Sequence, residues 1–143
     1  MNQDTTLLLT ECSSGIKMAV GSIDDVLDNV KDEKLRRTLN SCKEEHQALG
    51  SKTHRLLNEA GEPTKEASTM ARGMSWIKTN VMMTVKPDDH TVADLLIDGC
   101  NMGVKSLTRY RNQYPAASEE AKGIAADLIR AEEQLAADLR PYL

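Results

Sequence analysis

Glu11, His46, Asp98 and Glu132 have the side chains, and the positions on helical faces, to hold a metal ion. A pair of iron or manganese ions inside a four-helix bundle needs an inward Glu from each of two helices and a Glu-x-x-His from each of the other two. A spacing of three puts carboxylate and imidazole on one face. Both diagnostic halves are incomplete in this chain. Lys43 stands three residues before His46, where a Glu is needed, and Leu135 stands three after Glu132, where a His is needed. An ammonium in place of a carboxylate works against a bound cation. The remaining set, Glu11, His46, Asp98 and Glu132, could still hold one ion. The simpler alternative is a buried polar cluster, with His46 bonded to Glu132 or to a backbone group and Glu11 and Asp98 solvated. The need of a buried charge for a partner favours that alternative.

Other chemistry is thinly represented. Cys42 and His46 are four apart on one face, with Cys12 and Cys100 on neighbouring helices, a donor set that zinc accepts. Free cysteine is, however, among the most commonly buried residue types, and one on each of three helices is ordinary core usage. There is no CxxC, no HExxH, no Gly-rich phosphate loop and no arrangement that would activate a thiol or hydroxyl nucleophile. No catalytic residue and no cofactor are expected. Gly99 and Gly103 are spaced as small-x-x-x-small, with Gly15 on the facing hairpin. Since glycine inside a helix costs about 1 kcal/mol against Ala, close backbone approach is the expected compensation, and room for a ligand between helices is the alternative.

The elements that must position these residues are helical. The four prolines, Pro63, Pro87, Pro115 and Pro141, fall where apolar periods of 3.6 break. Apolar stripes predict helices over about 4–29 (Leu8, Cys12, Ile16, Ile23, Val26), 32–60 (Leu35, Leu39, Cys42, His46, Leu57) and 68–85 (Met70, Met74, Ile77, Val81, Val85). Two more are predicted over about 89–114 (Val92, Leu96, Gly99, Leu107) and 118–140 (Ile124, Leu128, Glu132, Leu135, Leu139). Asp32, Asp88 or Asp89, and Ser118 are the expected N-terminal caps, and Gly61 the expected stop. No useful strand-like alternation occurs. Short links make the first and last helix pairs antiparallel hairpins. The stretch of about 30 residues from Gly61 to His90, with its own helix, is long enough to cross back along the bundle. The expected fold is therefore all-α, one domain over 1–143, with two hairpins and a crossover helix. Trp76 and Met83 lie off that helix's main stripe; cover by a second copy of the chain is one expectation, and shielding of the bundle end by Trp76 is the equal alternative.

Composition excludes several classes. Eighteen Lys+Arg against twenty-two Asp+Glu give a net charge of −4 without a basic segment, so phosphate-neutralising contact with nucleic acid is not expected. No apolar run approaches the ~20 residues of a membrane helix. The opening MNQDTTLLLTEC lacks a basic region and a long apolar core, so no export signal is expected there. Three widely spaced cysteines fit a reducing, cytoplasmic compartment.

The stretches Asp32-Glu33-Lys34-Leu35-Arg36 leading to Glu45-His46-Gln47-Ala48-Leu49, Arg72-Gly73-Met74-Ser75-Trp76-Ile77-Lys78, and Asp88-Asp89-His90 before a helix with Gly99 and Val104-Lys105-Ser106-Leu107 resemble a family within the ferritin-like superfamily. It is a bacterial, uncharacterised, rubrerythrin-like family with a helix inserted between two hairpins. The resemblance implies a four-helix core, often dimeric, whose active relatives bind metal through carboxylates. Only His46 matches as a ligand-type residue. Ile97, Asp98 and Cys100 stand where relatives show several acidic residues, and Leu135 replaces a histidine. The expectation is a non-enzymatic, homo-oligomeric or partner-binding bundle with a degenerate metal site. The rival is a metal-binding or redox protein of the same class, using iron, manganese or zinc.

Overall fold

The computed structural model describes residues 1–62 and 88–143. Among them are four long helices, α1 (Gln3–Leu27), α2 (Glu33–Glu59), α3 (Asp89–Gln113) and α4 (Glu119–Leu139), then a 3-10 turn at Arg140–Tyr142 and no strand. The helix expected over 68–85, with Trp76 and Met83, lies outside the described residues.

Each helix begins where a side-chain oxygen accepts from an otherwise free backbone N–H. Asp32 accepts from Leu35 at 3.1 Å, Asp88 from Thr91 at 2.9 Å and Ser118 from Ala121 at 3.2 Å. Asn2 does the same for Thr5 at 2.8 Å, which fixes the start of α1 at Gln3. Gly61, at φ +74°, takes the left-handed conformation that ends α2, and the Glu62 N–H reaches back to the Leu57 carbonyl at 2.8 Å.

With Asp88 serving as the cap, Asp89 is free to bind outside its own helix. Its two carboxylate oxygens accept from the N–H groups of Lys31 and Asp32, at 2.8 and 3.0 Å. The start of α3 is thereby tied to the turn between α1 and α2. At the other end, Asn2 donates to the Ala116 carbonyl at 2.8 Å, and the N–H groups of Ala116 and Ser118 donate to Asp4 and Thr5 at 2.9 and 2.8 Å. These ties set the directions: α1 and α4 run one way, α2 and α3 the other. The end of α2 and the start of α3 therefore stand at opposite ends of the bundle.

Packing follows from the stripes. α1 lies on α2, α3 on α4, α2 on α4, and α1 on both α3 and α4. The buried apolar side chains form two clusters, one at each end. The cluster near the α1–α2 turn includes Ile23, Leu35, Leu39, Val92, Leu96 and Leu139. The other includes Leu8, Leu9, Leu57, Leu107, Ile124 and Leu128. Each such side chain contributes roughly 1.5–3 kcal/mol through its removal from water. Between the clusters, each helix passes through a waist with a different composition: Ala19 on α1, His46 on α2, Gly99 and Gly103 on α3, and Glu132 on α4.

Candidate functional site

His46 and Glu132 meet at the waist. His46 is 1% exposed and Glu132 8%, placed there by the apolar stripes of α2 and α4. The imidazole Nδ1 lies 2.9 Å from the Cys42 carbonyl one turn back, and Nε2 lies 3.3 Å from Glu132 Oε1. A backbone carbonyl only accepts, so Nδ1 carries a proton, and the upward shift of the ring's pKa puts a second on Nε2, facing Glu132. The pair is an imidazolium bound to a carboxylate. Burial alone would push the imidazole down. The hydrogen bonds to the Cys42 sulfur, 3.5 Å from Nδ1, and to Glu132, with the charge of the carboxylate, outweigh it and raise the ring from 6.5 to about 10.

The three cysteines are buried and free. Burial, with the neighbouring Glu11 charge added, pushes the Cys12 thiol up to about 12. Burial raises Cys100 further still, assisted by the charge of Glu132 and by the hydrogen bond between its thiol and that carboxylate. Held protonated, the Cys12 and Cys100 thiols are poor nucleophiles at neutral pH.

Above this pair is a cavity of about 300 Å³. Its walls are α1, through Glu11, Ser14, Gly15, Met18 and Ser22, and α3, through Gly99, Gly103 and Ser106. Its floor includes His46 from α2 and Leu128, Glu132 and Leu135 from α4. Met102, 60% exposed, stands at the rim. The glycines do not serve the close helix approach expected of them. A Cβ built on Gly15 or Gly99 meets nothing within 4 Å among the described residues, and one on Gly103 meets Glu132 first, at 3.4 Å. Close approach occurs elsewhere, at Gly50 of α2, where a Cβ would stand 3.1 Å from Ile16 Cγ2 of α1.

Of the four residues singled out in the sequence, His46 and Glu132 are in contact and Glu11 is half-buried on the cavity wall. Asp98 is exposed and is not among the residues that line the cavity. Among the described residues, no group of three or more His, Cys, Asp or Glu is placed to hold a metal ion. Lys43, the residue in place of a ligand Glu, reaches out to Asp24 of α1 at 2.6 Å and ties the first hairpin together. Leu135, in place of a ligand His, is buried and lines the cavity floor.

The sequence offered room between the helices only as the alternative to close approach, and it gave no sign of the bond from Cys100 to Glu132. The traceable sign of the cavity is a matching run of small residues, Gly15, Ala19 and Ser22 on α1 against Gly99, Gly103 and Ser106 on α3. None of the described helices is long and apolar enough to cross a membrane. Comparison with protein-family models, with curated proteins and with solved structures gave no match to this chain.

Proposed function

We propose that this chain is a non-enzymatic, ferritin-like binding module whose waist holds a small organic molecule in the place where metal-binding relatives would hold ions. The observation that carries this reading is the cavity itself: about 300 Å³, at the lower end of the range typical of ligand sites, with open space where Gly15 and Gly99 could carry side chains. Two hairpins, with the start of α3 tied to the α1–α2 turn, support the ferritin-like arrangement, in which the second hairpin follows a crossover. The lack of an activated nucleophile among the described cavity groups supports a binding role over catalysis. The cytoplasm is the proposed location, where free thiols persist.

The reading is tested by titrating isotopically labelled protein with 4-phenylbutan-1-ol and following backbone amide resonances. Shifts should centre on Gly15, Gly99 and Gly103 and vanish in Gly99→Leu, which fills the cavity. Shifts confined to other residues would refute it.

One contact favours a second reading, in which the protein binds metal. A histidine that donates Nδ1–H to a carbonyl presents Nε2 as ligating histidines do, and here Nε2 faces a carboxylate across a proton. Protein purified without chelator should show no stoichiometric iron, manganese or zinc. Stoichiometric metal that disappears in His46→Ala and Glu132→Gln would establish the rival. A second copy of the chain, meeting through Trp76 and Met83, is the proposed macromolecular partner. A sedimentation mass of one chain, unchanged in Trp76→Glu, would remove it.

A further inference from the structure

We propose that the cavity takes an organic ammonium ion, a primary amine on a compact apolar body, with the charge set against Glu11 and the body lying over the apolar floor. The inference rests on the reading of the cavity as a ligand site and adds the class of ligand.

Size comes first. A dry cavity of about 150 Å³ accepts benzene, so about twice that volume accommodates roughly a dozen non-hydrogen atoms. Leu96, Leu128 and Leu135 give such a body an apolar bed.

Charge then selects the head group. The described residues that line the cavity include two carboxylates, Glu11 and Glu132, and one imidazole, His46, but no Lys or Arg. Glu132 and His46 satisfy one another at 3.3 Å. Glu11 is left half-buried, with no ion-pair partner among the described residues. Arg109 is engaged with the Tyr110 ring at 5.5 Å and does not line the cavity. An anionic ligand would be desolvated against a carboxylate between low-dielectric walls, where like charges repel most strongly. A neutral one would cover Glu11 without compensating its charge. An ammonium supplies the missing charge. Its three N–H donors suit a site that also offers the hydroxyls of Ser14, one turn on from Glu11, and Ser106 on the antiparallel α3. A bare divalent ion fits less well, because no three ligand-type side chains among the described residues converge.

Calorimetric titration of the full chain with three near-isosteric probes tests this: 4-phenylbutylamine, 4-phenylbutan-1-ol and 4-phenylbutyrate, at neutral pH and low salt. The amine should bind about tenfold more tightly than the alcohol, equivalent to about 1.4 kcal/mol, and the carboxylate should give no heat. Glu11→Gln should weaken the amine and leave the alcohol no weaker, since the uncompensated charge it covered is gone, so that the tenfold preference disappears. Gly99→Leu should abolish both, with circular dichroism to confirm that the helices are intact; Gly15→Ala is the milder filling variant if they are not. An alcohol that binds as tightly as the amine, or an amine indifferent to Glu11→Gln, overturns the ammonium assignment and leaves the cavity reading standing. Failure of all three probes overturns both.

Discussion

The two ends of the bundle and its waist solve the problem of a helical interior in different ways. At the ends, Leu, Ile and Val from all four helices close on one another, and backbone groups are tied off by Asp89 at one end and by Asn2, Asp4 and Thr5 at the other. At the waist, the same four stripes carry an imidazole, a carboxylate and glycines, and the helices enclose space. The ends have the composition that stability alone would select. The waist gives up apolar burial and helix propensity for a polar pair and open space. That contrast is the physical reason for placing function there.

The sharpest way to break the contrast is to remove one member of the waist pair. Glu132→Leu leaves a buried imidazolium without its carboxylate and should cost about 4 kcal/mol in urea unfolding. The double variant His46→Leu/Glu132→Leu should recover most of that loss, since apolar replacement of both members of a buried pair is often neutral or better. A double variant as unstable as the single would mean that the waist is held by something other than this ion pair. For comparison at an end, Leu39→Ala should cost about 3 kcal/mol, the usual penalty for a cavity in a closely packed apolar cluster. A loss well below 1 kcal/mol would show the ends to be as loose as the waist.

These contrasts were unequally legible in the sequence. The helices were legible because their causes are local: a capping oxygen at Asp32, Asp88 or Ser118, a glycine at 61, an apolar residue every third or fourth place. The contact of His46 with Glu132, 86 residues apart, depended on the rotation of two separate helices, which a pattern on each helix alone cannot fix. The role of Asp89 was hidden for a related reason. Asp88 and Asp89 are equivalent as caps on paper, and only the position of the α1–α2 turn decides which one reaches across. The glycines misled because small residues on facing helices fit two opposite situations, backbones in contact or backbones kept apart around a space. Their spacing is the same in both.

Acidity sharpens the contrast further. The imidazole is raised to about 10 from 6.5, so its contribution to stability is complete below pH 6.5 and is lost as pH rises toward 10. Even half of that shift corresponds to roughly 2 kcal/mol. Buried thiols also disfavour the folded state in alkali, so the informative quantity is the difference between the parent and His46→Gln across pH 6 to 10. That difference should shrink as pH rises. A difference that stays constant would place the proton elsewhere.

The smallest expected effects separate occupied space from empty space. Gly15→Ala and Gly99→Ala should each stabilise the protein, by about 0.5–1 kcal/mol, because the methyl group enters open space and the helix gains propensity. Gly103→Ala should gain less, since its methyl meets the Glu132 carboxyl at 3.4 Å. Gly50→Ala should gain nothing or lose stability, because Ile16 at 3.1 Å must move before a methyl fits. Thermal or urea unfolding of the four variants orders them directly. A stabilised Gly15→Ala that also weakens 4-phenylbutan-1-ol binding would tie the cost of the glycine to the space it leaves. A destabilised Gly15→Ala would mean that the space is filled in the folded chain, and the waist would then be packed as tightly as the ends.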